Sequence, residues 1–177
     1  MNRIFHLLTV FIFILNTSVF GIGTQFLSIP STALELAVGI NPVLNGGSFS
    51  NPASLILDKP NPDLFFSHGS WLAGVTGSTI RFSRGFTYGT GGFQIRYAGL
   101  NDLEFRTSRP TDNPQAEFGA YGVSFGGFYN QILGNTRYGL AMQAVSFQIY
   151  NESSKGYSVD FGLARTFGKN FTFGASL

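Results

Sequence analysis

The chain has 177 residues, enough for one domain. Eleven Lys and Arg against nine Asp and Glu give a formal net charge of +2, too little to argue for a nucleic-acid partner. With no cysteine and only two histidines, His6 and His68, disulfide staples, cysteine clusters and a histidine zinc site are excluded, and no metal or cofactor is expected.

Charged residues make up 11% of the chain, less than half the roughly 25% of an ordinary soluble domain. Aromatics reach 16%, with 20 Phe against one Trp, and there are 23 Gly. Mean hydropathy is only +0.14, lower than several long apolar helices would give. Phe and Gly in excess, few charges and moderate hydropathy fit strands with one greasy face and one small, polar face. A transmembrane β-barrel has that alternation.

Met1-Asn2-Arg3 is a positive head, Ile4 to Leu15 is an apolar run, and small residues follow up to Gly21. This order describes a secretory signal peptide, residues 1–21, with cleavage expected after Gly21 or, second, after Ser18. The apolar run falls short of the about twenty residues a helical span needs. A mature chain made this way works outside the cytoplasm. The competing reading is an anchoring N-terminal helix.

Residues 22–60 form a lead-in. Within it, Phe26 to Leu57 is apolar, and Glu35 is its one formal charge. It reads as neither a strand ladder nor a full helix, and is expected to be a plug tucked against a sheet. Asn51-Pro52-Ala53 ends it, because a residue before proline avoids the helical region.

From residue 61 to 177 aromatic alternation takes over. Strands are expected over Asp63–Gly69, Ala73–Ser83 and Phe86–Ala98, with a tight turn at Arg84-Gly85. Gly99 to Pro114, with five charges and two prolines, reads as a solvated loop. Gln115–Tyr129 is the fourth strand, and Asn130 to Asn135 turns the chain. Thr136–Tyr150 changes phase midway, so a β-bulge near Ala144 is expected. Asn151 to Lys155 is a polar turn. The sixth strand is the clearest: Tyr157, Val159, Phe161, Leu163 and Phe167 alternate with Ser158, Asp160, Gly162, Ala164 and Thr166. Gly168-Lys169-Asn170 is a turn, and Phe171 to Leu177 is the last strand.

Several of these strands exceed both the five or six residues usual in soluble sheets and the about nine to eleven of a tilted membrane strand. The fold class expected is all-β: an antiparallel transmembrane β-barrel in meander order, incomplete at about seven strands, with an N-terminal plug-like segment. Bacterial single-chain barrels have an even count of at least eight. The chain is therefore expected to be the N-terminal part of a larger barrel.

The lead-in Gly23-Thr24-Gln25-Phe26-Leu27-Ser28-Ile29, the run to Asn51-Pro52-Ala53-Ser54-Leu55 and the stretch Phe66 to Val75 resemble the start of the PorV/PorQ family. Lys155 to Leu163 resembles it too. These are outer-membrane barrels related to long-chain fatty-acid transporters. The resemblance implies docking or shuttling of proteins exported by type IX secretion, in the outer membrane of a Gram-negative-type cell. It also implies outer-membrane lipid, secretion components or exported proteins as partners. Ser54 stands where the family has Gly, and the family's barrels are about twice this length, with about fourteen strands.

Two alternatives from other classes stay open: a hydrophobic-solute transporter of the fatty-acid type, and a secreted soluble β-domain. No enzyme is expected, since His68 has no serine and acid placed with it. Gly89 to Gly92 lies inside a strand pattern, not at a strand-to-helix turn where a phosphate loop belongs. Asn51, Pro52 and Ala53 are read as a structural hatch motif that pins the plug. Trp71 is read as a membrane-interface anchor. Arg96, Glu117, Asp160 and Arg165 are placed on or near the small-residue face, as lumen charges or snorkelling strand ends.

Overall fold

The computed structural model describes residues 29–30, 32–38, 49–55, 57, 61–106, 112–168 and 171–177. The expected signal peptide (1–21) and the lead-in residues 22–28 lie outside them.

Seven strands follow one another: β1 (Pro62–Ser70), β2 (Thr76–Phe86), β3 (Gly89–Phe105), β4 (Ala116–Leu133), β5 (Thr136–Ile149), β6 (Glu152–Phe167) and β7 (Phe171–Ser176). They form one sheet in chain order, each neighbour antiparallel. The sheet curls into a half-barrel. Up-and-down order with an odd count leaves β1 and β7 running in the same direction. Among the described residues ahead of the sheet is a short helix, α1 (Ala33–Val38). Thr32 caps it, its Oγ1 accepting from the Glu35 amide at 3.1 Å.

Side chains alternate across a strand, and the period-two pattern sorts the two faces. On β3, Phe93 and Ile95 are exposed while Gln94 and Arg96 are buried. On β4, Phe125 and Tyr129 are exposed while Ser124, Phe128 and Asn130 are buried. On β6, Tyr157, Val159 and Phe161 are exposed and Ala164 is buried. The outer face is thus apolar and aromatic, the reverse of a soluble sheet. Rings meet across strands there: Phe82 stacks on Phe93 at 5.4 Å, and Tyr97 on Tyr121 at 6.3 Å.

Several sequence expectations are corrected. β2 runs on to Phe86, so the first hairpin turns at Thr87-Tyr88 and not at Arg84-Gly85. Gly85 is a paired strand residue opposite Thr90, buried on the inner face. The region Gly99 to Pro114 is not one loop. β3 continues to Phe105, crossing an irregularity between Leu100 and Leu103 where Asp102 adopts a positive φ of 62°. A β-bulge absorbs the polar Asn101-Asp102 pair, and the ladder resumes at Leu103. The expected bulge near Ala144 is absent: β5 pairs without a break on both sides. Val145 and Phe147 therefore face inward, opposite the small Ser124 and Gly122 of β4. β4 extends to Leu133, leaving Gly134-Asn135 as the turn. Asn130 is consequently a strand residue pointing inward.

The turns at 87–88 and 134–135 share one end of the sheet with Gly168. Residues 71–75, 106, 112–115 and 150–151 share the other. Of the lead-in, α1 lies towards the second end, and residues 49–55 and 57 lie along the inner face towards the first.

Candidate functional site

The registers bring six inner-face residues into one transverse row: Gly85, Thr90, Asn130, Gly139, Gly162 and Ser176, one from each of β2 to β7. Asn51-Pro52-Ala53 lies across the middle of this row. Gly139 and Gly162 are paired opposite each other. A Cβ on Gly139 would overlap the Pro52 carbonyl group, and one on Gly162 would overlap Asn51 Oδ1 and come within 2.9 Å of the Ala53 nitrogen. The two glycines form a saddle that seats the Pro52 and Ala53 main chain with the Asn51 side-chain oxygen and the Pro52 ring. Phe49 presses on a third inner glycine, Gly126, and meets Phe128 edge-on at 6.1 Å.

Hydrogen bonds fix the segment on the saddle. Asn51 Oδ1 accepts from the Ala53 amide at 2.9 Å, an Asx turn that tightens the bend before Ser54. Asn51 Nδ2 donates to the Leu163 carbonyl of β6 at 3.3 Å. From the wall, Asn130 Nδ2 donates to the Pro52 carbonyl at 3.1 Å and the Leu55 carbonyl at 2.6 Å. Asn130 Oδ1 accepts from the Thr90 amide at 2.9 Å. Thr90 Oγ1 accepts from the Leu57 amide at 3.1 Å. Asn51, Asn130 and Thr90 are each at most 1% exposed. Buried polar groups need such partners, and losing one leaves a desolvated group behind. Thr90→Val keeps the shape but strips the acceptor from Leu57, and is expected to cost about 1 kcal/mol. The midpoint of urea unfolding in detergent checks this.

Nearer the other end, Glu35 of α1 is buried over the inner face of β2 and β3. Its charge acts on both Arg81 and Arg96, which are themselves buried. Ser50 Oγ donates to Glu35 Oε1 at 3.5 Å. Arg96 Nη2 donates to the Ile29 carbonyl. Arg81 lies over the Phe65 ring at 4.7 Å and has Asp63 as a second nearby anion. Between α1 and the ends of β1 to β3 opens a cleft of about 200 Å³, whose lining includes Ile29, Leu36, Trp71, Val75, Thr79 and Arg96.

The structure thus places Asn51, Pro52 and Ala53 together, on the inner wall. Trp71 is distant from them, half-buried in the β1–β2 connection, where its amide donates to the Val75 carbonyl at 2.6 Å. Arg96 and Asp160 face inward, as expected. Glu117 and Arg165 do not: both carry odd numbers, in strands whose even positions point inward, and both are exposed. Arg165 instead lies over the Phe167 ring at 5.0 Å on the outer face. The residues that receive the lead-in, Thr90, Asn130, Gly139 and Gly162, escaped the sequence reading. Asn130 shares its parity with Ser124 and Gly126, and that was the available signal. Among the described residues no group of three or more His, Cys, Asp or Glu could hold a metal ion.

No family model, curated protein or solved structure matches this chain.

Proposed function

We propose that this chain is wall and internal plug of a bacterial outer-membrane β-barrel that handles proteins exported by type IX secretion. The observation that carries the membrane part is the inverted face pattern: Phe66, Phe93, Phe125, Leu140, Val159, Phe161 and Phe173 are exposed on one face, while Thr79, Gln94, Arg96 and Asn130 are buried on the other. In water the outer face would leave a broad apolar patch unsatisfied. In lipid it is the expected surface, and the polar interior is screened by the sheet. The secretion role follows from the resemblance to the PorV/PorQ family in the lead-in, Asn51-Pro52-Ala53 and Trp71-Leu72-Ala73-Gly74. Trp71, at a sheet end, fits the role of interface anchor.

The cleft beside α1, with apolar Ile29, Leu36 and Val75 in its wall, favours hydrophobic-solute transport as the second reading. A soluble secreted β-domain draws no support from the outer face.

Two measurements separate these readings. The mature protein is expected in the outer-membrane fraction, released only by detergent; recovery from a high-speed supernatant without detergent would sink both membrane readings. In a deletion strain, loss of surface-attached secreted cargo with fatty-acid uptake intact is expected. Lost uptake with normal cargo would replace the first reading with the second.

A further inference from the structure

Arg81 and Arg96 are cross-strand diagonal neighbours on the inner face, since Arg81 pairs with Gln94 and Thr79 with Arg96. Two buried guanidinium groups this close need anions, because an uncompensated buried charge is costly. Asp63 supplies one from β1. The other, Glu35, comes from outside the sheet, on a six-residue helix. Arg81 Nε is buried and has no hydrogen-bond partner, so Arg81 keeps one unused donor. Guanidinium forks match planar oxyanions geometrically.

We propose that Arg81 and Arg96 form a binding site for a small oxyanion, a carboxylate or a phosphate, and that Glu35 occupies it as a tethered competitor. Exchange of Glu35 for a free anion conserves the charge of the interior, so no buried charge is left uncompensated. The cleft beside α1, which Arg96 lines, supplies the approach. Arrival of the anion displaces the Glu35 charge from the arginines and so loosens α1 from the wall. The segment at 49–57, held by the Asn130 and Thr90 clamp, stays in place. Residues 49–55 and 57 are therefore a fixed lock and α1 a releasable latch. This site belongs to the inner wall and does not depend on the role in secretion.

Trp71 is the single tryptophan and lines the same cleft, so its fluorescence reads the latch. Sodium phosphate or sodium acetate, titrated into the protein in zwitterionic detergent, is expected to shift Trp71 emission saturably. Sodium chloride at equal ionic strength should not. Glu35→Gln removes the competitor's charge at constant shape and is expected to tighten phosphate binding about tenfold or more, about 1.4 kcal/mol. Arg81→Lys, which keeps charge and loses the fork, is expected to weaken it. Dihexanoyl phosphatidic acid as a parallel ligand identifies the source: binding tighter than inorganic phosphate assigns a lipid headgroup, and equal binding assigns a free anion. Unchanged or weaker phosphate binding in Glu35→Gln, with its heat-resistant mobility on gels retained, overturns the proposal. So does a chloride response equal to that of phosphate.

Discussion

Gly162→Val is expected to expel residues 49–57 from the inner wall while leaving the sheet paired. The first added carbon already overlaps Asn51 Oδ1, and Pro52 Cδ lies 2.8 Å away on the same side. The Asn51 side-chain amide is pinned by its bonds to the Ala53 amide and the Leu163 carbonyl, and behind it stand a proline ring and main chain that cannot swing aside. Overpacking of this kind usually costs about 1–3 kcal/mol. Here the hydrogen bonds from Asn51 to Leu163 and from Asn130 to Pro52 go with it, so we expect a total above about 4 kcal/mol. Hydrogen exchange should show residues 49–57 losing protection and β4 to β6 keeping it. Val is also a good strand former, so the paired strands themselves should not suffer. Retained protection at Ala53 and Ser54 would show that the saddle is not a tight fit.

Asn130→Leu attacks the same contact from the other side. One side chain serves three backbone groups: the carbonyls of Pro52 and Leu55 and the amide of Thr90. Leucine is of similar size, so cavity formation is not the main cost; three buried polar groups lose partners at about 1–3 kcal/mol each. Some rehydration will offset this, and about 4 kcal/mol is expected. Asn130→Asp separates the roles. It can still accept from Thr90 but cannot donate to the lead-in, so exchange protection should fall at residues 49–57 and persist in β3 and β4. Thermal unfolding in detergent gives the ranking: Asn130→Leu below Asn130→Asp below the parent.

The order of the strands was legible because alternation is a local signal. β6 announces itself through five apolar residues at odd positions, and the structure puts them on the outer face. The errors came where local punctuation and pairing disagree. Gly85 looks like a turn residue, but its pairing with Thr90 makes it part of the β2–β3 ladder. Asn130 belongs to the residues that favour turns, and only the register with Gly139 and Thr90 shows it to be a buried clamp. The phase change in β5 invited a bulge because an inward Phe147 seemed wrong for a polar interior; opposite Gly122 it has space. Asn51-Pro52-Ala53 stood out as a motif. Its receptors did not, because glycines and small polar residues occupy inner positions in strand after strand. Which four matter is decided by pairing offsets that no single strand contains.

The transverse row has a bearing on assembly. A one-residue slip between strands turns every greasy residue inward and is strongly disfavoured. A two-residue slip keeps both faces intact, so alternation alone cannot tell it from the native pairing. The saddle can. Slipping β5 by two residues puts Arg137 or Ala141 where Gly139 stands, and slipping β6 puts Asp160 or Ala164 in place of Gly162. In each case a side chain fills the space that Pro52 and Ala53 need. The lead-in binds one register and rejects its neighbours, and anything that binds only the native form shifts the balance towards it. Residues 49–57 thus act as a gauge that the growing wall is measured against, made before the strands it checks.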